Sequence, residues 1–110
     1  MQALTQRERD DLTENAAAAA ALLRALGHEA RLMVLCQLAG GERSAGELQA
    51  GAGLSQSAFS QHLARLREDG LVATRREGTS ILYAIADPAA LAVVETLAGL
   101  YCRPPRRRRA

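Results

Sequence analysis

The sequence predicts a mainly α-helical chain carrying one small β-hairpin, and three observations lead there. Apolar residues make up 48% of the chain and aromatics only 3%. Alanine and leucine dominate, a composition that favours close-packed helices over a sandwich of β-branched strands. Apolar residues recur at helical spacing in several windows. The one change of rhythm is "LVATRREGTSILYAI", two β-rich runs joined at Glu77 and Gly78, which reads as a hairpin.

The elements follow in order. Thr5 and Glu8 have capping-box spacing, and few breakers follow through Leu26, so one long first helix is predicted. Ala19, Leu22, Leu23 and Leu26 form its apolar stripe, and Gly27 closes it. In "HEARLMVLCQLAGG", Leu32, Leu35, Cys36 and Ala39 share one helical face, which predicts that Cys36 points inward; Gly40 and Gly41 end that helix. Ser44 caps a short helix in "SAGELQAGAG", and Ser55 caps a longer one in "LSQSAFSQHLARLREDG". The latter turns Phe59, Leu63 and Leu66 to the core and Ser57, Ser60, Gln61 and Ala64 the other way. Asp87 and Pro88 then start a last helix, "PAALAVVETLAGLYC", apolar on nearly every face until Pro104. So little polar surface asks for two partners, its own core and something else.

The chain has 110 residues, enough for one domain whose core is small for generous stability, so association with a second copy is a natural expectation. Residues 1–103 are assigned to that domain and 104–110, "PPRRRRA", to a basic tail expected to be disordered. The formal charge of +2 resides in the end of the chain: residues 1–102 hold nine arginines against twelve carboxylates, a net of −3. Overall basicity is thus a weak argument for nucleic acid. No stretch reaches the length of a membrane span and the N-terminus is charged rather than signal-like, so a soluble cytoplasmic protein is expected, with its two cysteines reduced at rest.

Two helices separated by a glycine turn, the second exposing small polar side chains, and then a hairpin, describe a winged helix-turn-helix. In that arrangement the second helix enters the major groove of double-stranded DNA. Glutamine can pair bidentately with adenine, serine serves base edges or phosphates, and small side chains let the backbone approach. Arg75 and Arg76 beside the hairpin turn are placed for phosphate or minor-groove contact.

The stretch from "LGHEARLMVLCQLAGGERSAGELQAGAGLSQSAFSQHLARLREDGLV" to "ATRREGTSILYAI" resembles the ArsR family of dimeric bacterial repressors, over about residues 22–102. The resemblance implies a homodimer formed through the first and last helices, which accounts for the apolar surfaces at 16–26 and 88–101. It also implies a DNA-facing set of Ser55, Gln56, Ser57, Ser60, Gln61, His62 and Arg65, joined by Arg75 and Arg76 of the wing. Phe59 lies beside this set but by spacing belongs to the core. An inverted-repeat operator is expected, with the recognition helices about 34 Å apart.

Many relatives sense metals, and the motifs for that are missing. "SAGELQA" lacks the Cys-x-Cys pair of one family site, and the last helix offers Asp87 and Glu95 but no histidine for the other. His28 and His62 are too few and too scattered for a tetrahedral site. His28 is better read as a capping or interhelix residue, and His62 as a partly exposed residue on the DNA side. No metal or other cofactor is expected.

The pair Cys36 and Cys102, in "LMVLCQL" and "GLYCR", is similar to the dithiol branch of the family that senses persulfides and oxidants, the BigR/SqrR/HlyU-like repressors. That resemblance implies that operator affinity falls when reactive sulfur species link the two thiols through a polysulfide bridge, or oxidants through a disulfide. Alternatives remain open at this level: a metal-responsive or constitutive regulator of the same family with inert thiols, or a protein-interaction module without DNA binding. An enzyme is disfavoured, since a thiol oxidoreductase asks for Cys-x-x-Cys beside a strand and a hydrolase for a nucleophile with an oriented base.

Overall fold

The computed structural model describes residues 3–101. Cys102 and the basic tail, both singled out above, lie outside the described residues. The order is α1 (Gln6–Glu14), α2 (Ala16–Leu26), α3 (Glu29–Leu38), β1 (Arg43–Ser44), α4 (Ala45–Ala52), α5 (Gln56–Glu68), β2 (Val72–Glu77), β3 (Ser80–Ile85) and α6 (Pro88–Tyr101).

The capping box at Thr5 forms in full: its hydroxyl accepts from the Glu8 amide at 3.1 Å and the Glu8 carboxylate accepts from the Thr5 amide at 2.8 Å. The single long helix expected to follow is instead two. Asn15 leaves helical geometry, with ψ at 13°, and its side-chain amide donates to the Asp11 carbonyl at 2.9 Å. That local bond gives the backbone an alternative to continuing the helix. No residue of α1 is buried.

α3 forms the centre of the molecule, packing against α4, α5, α6 and β3. Its buried face is Val34, Leu35 and Leu38, while Cys36 and Leu32 are half-buried and Ala39 is exposed. The inward placement expected for Cys36 is therefore only partial. The reason is that "RLMVLCQL" is apolar almost all round, so periodicity cannot single out a face and the packing partners choose it. Around this face close Ala25 and Leu26 from α2, Leu48 from α4, Phe59, Leu63 and Leu66 from α5, and Ala90 and Val94 from α6.

α4 and α5 form the helix-turn-helix. Ser44 and Glu47 make a second complete capping box, and Gly53 ends α4 in the left-handed region, φ 67°, where a side chain would be strained. Ser55 then caps α5, its hydroxyl accepting from the Ala58 amide at 3.2 Å. At the far end of α5 the Leu71 amide reaches the Leu66 carbonyl and the Gly70 amide that of Arg67, a Schellman closure that launches β2.

The hairpin forms as expected, but its two-residue loop is Gly78 and Thr79 rather than Glu77 and Gly78, because Glu77 is still in β2 and pairs with Ser80. Gly78 has φ 61°, the conformation that a type II′ turn needs at its first central residue. The sequence does not signal β1, a two-residue strand that pairs Arg43 with Tyr83 and Ser44 with Leu82, giving a three-stranded antiparallel sheet of order β1-β3-β2. Asp87 starts α6 by accepting from the Ala89 amide at 2.8 Å. Among the described residues, no helix is long and apolar enough to cross a membrane.

Candidate nucleic-acid interface

Burying Phe59, Leu63 and Leu66 fixes the rotation of α5, and the remaining positions divide into three faces. Ser57, Gln61 and Ala64 point directly away from the core and are exposed. The first turn of α5 contains no acidic residue, so the positive end of the helix dipole is left uncompensated at the end where Ser55, Gln56 and Ser57 stand. One flank of the helix carries Gln56, Ser60 and Arg67, which line a shallow groove with Ala45 and Gln49 of α4 and Tyr83 of β3. Arg67 is outside the sequence-predicted set. Its seven-residue spacing from Ser60 puts the two on one face, and that periodicity is the signal that could have found it.

The other flank behaves differently. The His62 ring lies 4.3 Å, centroid to centroid, from that of His28, whose Nδ1 accepts from the Ala30 amide and so caps α3. His28 thus fills both roles expected of it, cap and interhelix contact. His62 is half-buried on the side of α5 that meets the start of α3, turned away from Ser57 and Gln61. Burial, aided by the nearby His28 and Arg31, holds its pKa below the ordinary histidine value. Arg65 is also turned aside: its Nε donates to Asp69 at 3.0 Å, and both face α2 beside Leu22 and Arg24.

The strand register sorts the wing arginines. Side chains alternate along a strand, so Arg76 shares the face of Thr74, Tyr83 and Ile81, the face that also borders the α4–α5 groove. Arg75 lies on the opposite face, where its Nε and Nη2 donate to the two oxygens of Glu42 at 2.7 and 2.8 Å. Those hydrogen bonds hold the Glu42 carboxyl below its usual range and raise the Arg75 pKa. Glu47 is likewise held down, by the Ser44 backbone and hydroxyl of its capping box. Among the described residues, no group of three or more His, Cys, Asp or Glu side chains could hold a metal ion.

A capped helix with an open polar face, a second helix bracing it and a hairpin beside both define a winged helix-turn-helix protein of the DNA-binding class. Residues 28–74 match the family model described as bacterial regulatory protein, arsR family. The chain is 49% identical over 92 residues to the HTH-type transcriptional regulator YgaV of Escherichia coli, covering 83% of this chain and 93% of that protein. Among solved structures, reduced HlyU from Vibrio cholerae superposes with a TM-score of 0.79 at 46% identity, over 84% of this chain and 98% of that one. The transcriptional repressor BigR from Xylella fastidiosa gives 0.81 at 40% identity, over 86% and 97%. The chain belongs to the ArsR family of bacterial transcriptional regulators.

Proposed function

We propose that the protein is a homodimeric repressor that binds an inverted-repeat operator through α5 and the wing, and that linking Cys36 to Cys102 weakens this binding. The observation that carries the reading is the packing of α3 against α6. Cys36 stands on the first of these helices, and Cys102 follows directly on Tyr101, the last residue of the second. A link between them ties the helix bracing the recognition unit to the helix proposed to join the two copies, and so biases the spacing of the two recognition helices. One neighbour is described as reduced HlyU, a redox state defined for that protein. Ser57, Ser60 and Gln61, with Arg67 and Arg76 alongside, are assigned to the duplex. Ser55, whose hydroxyl serves the cap, Gln56 and Arg75 stand at its border, and His62 and Arg65 support the helix from its other flank.

The chemistry balances without a cofactor. Each thiolate takes a sulfane sulfur from a low-molecular-weight persulfide and releases the corresponding thiol. Attack of one resulting persulfide on the other then expels hydrogen sulfide and leaves a trisulfide. Direct oxidation removes two electrons and two protons to an oxidant and leaves a disulfide, which requires α-carbons within about 7 Å. Extra sulfur relaxes that limit.

The test is operator binding with and without persulfide, combined with mass spectrometry of the treated protein. Expected are loss of the operator complex, an internal Cys36–Cys102 link carrying added sulfur, and Cys36→Ser and Cys102→Ser variants that stay bound and unresponsive. Release of DNA by persulfide from either serine variant overturns the thiol reading while leaving DNA binding intact.

A further inference from the structure

Arg75 reaches across the sheet. It belongs to β2 at one edge, whereas Glu42 immediately precedes β1 at the other, so the ion pair spans β3 and joins residues 33 apart in sequence. The guanidinium fork is fully matched: Nε to Oε2 at 2.7 Å, Nη2 to Oε1 at 2.8 Å, and Nη2 also to Glu77 Oε2 at 3.3 Å. One cation is thereby shared between two carboxylates, and the cluster carries a net charge of −1. In that state this face of the wing repels a phosphate.

The same fork geometry that fits a carboxylate fits a phosphate. The Arg75 and Glu42 side chains retain 51% and 38% of their exposure, so water and salt already compete for the pair and exchange of one anion for another is cheap. We propose that Glu42 occupies the place of a DNA phosphate on Arg75 and gates the wing, yielding the guanidinium when the duplex arrives. The inference rests on the DNA-binding reading above and adds to it a residue that lowers affinity for every duplex. Its use is discrimination: the sequence-independent phosphate term is held down, so binding depends more on the contacts made by α5.

The experiment titrates operator and random duplexes with wild type, Glu42→Gln, Arg75→Ala and the double variant, at several salt concentrations, with circular dichroism to verify the fold. Wild-type binding reports on the DNA-binding reading, and only the differences between variants report on the gate. Glu42→Gln is expected to tighten both duplexes by about two- to fivefold at low salt, the range of exposed ion pairs, and the gain should vanish as salt rises. It should also be absent in the Arg75→Ala background. Unchanged or weaker binding by Glu42→Gln overturns the proposal, as does a gain that survives removal of Arg75.

Discussion

The outward face of α5 and the outer ends of α2 and α6 are both open to solvent, and they expose opposite chemistry. On α5 the exposed polar groups are hydroxyls, amides, the guanidinium groups of Arg65 and Arg67 and the carboxylate of Glu68, while every large apolar side chain of that helix is buried. On α2 and α6 the exposed groups include Leu23 at 61%, Leu100 at 71% and Tyr101 at 82%. A polar face is stable when bare, and suits a partner that comes and goes. An apolar face costs free energy for as long as it is wet, and suits permanent cover. The contrast matches the proposed dimer, in which the polar face of α5 stays open for the duplex while the apolar ends of α2 and α6 are covered by the second copy.

The strongest way to break this contrast is to make the second face polar. Leu100→Asp combined with Tyr101→Asp is expected to yield monomers in sedimentation and to lower affinity for an inverted-repeat operator by roughly 10²–10⁴, the avidity lost when two half-sites no longer bind as one. A pair of aspartates that leaves the dimer intact would show that these ends of the helices lie outside the interface. The first face is probed by Gln61→Ala and Ser60→Ala, each expected to cost about 1–3 kcal/mol of specific operator binding without change in melting temperature. Affinity and specificity retained in both variants remove these residues from the base-reading surface.

The smallest effect concerns the flank of α5 that meets α3. Because the folded pKa of His62 is depressed below its ordinary value of about 6.5, the unfolded chain takes up the proton first as the pH falls. Stability is therefore full above about pH 6.5 and declines through the window down to the folded pKa. His62→Asn should flatten the dependence of melting temperature on pH across that window. A slope unchanged by the substitution would place the acid sensitivity elsewhere.

Much of the fold is legible in the chain alone. Caps at Thr5, Ser44 and Ser55, the glycine turn, the hairpin and the rotation of α5 are local consequences of short-range hydrogen bonding and of a strong apolar period. The break at Asn15 escapes such a reading because a single asparagine ahead of an alanine run weakens a helix only mildly, and its side-chain bond to the Asp11 carbonyl is not signalled by any pattern. β1 escapes it because two residues carry no periodicity. Within the predicted DNA-facing set, Ser57, Ser60 and Gln61 stand clear, whereas His62 and Arg65 share the helix but lie on its other flank.

Local sequence set the type and order of the helices from α3 onward and the hairpin of the wing, and put Ser57 and Gln61 opposite the buried face of α5 with Ser60 on its flank. Tertiary structure alone decided which face of α3 is buried, that His62 meets His28, and that Arg75 is held by Glu42. The physical reason is range. Capping and amphipathic period act over three to seven residues and are written in adjacent letters. A helix that is apolar all round, a ring pair between separate helices and an ion pair across 33 residues depend on how elements dock, and docking is set by the sum of many weak packing contacts.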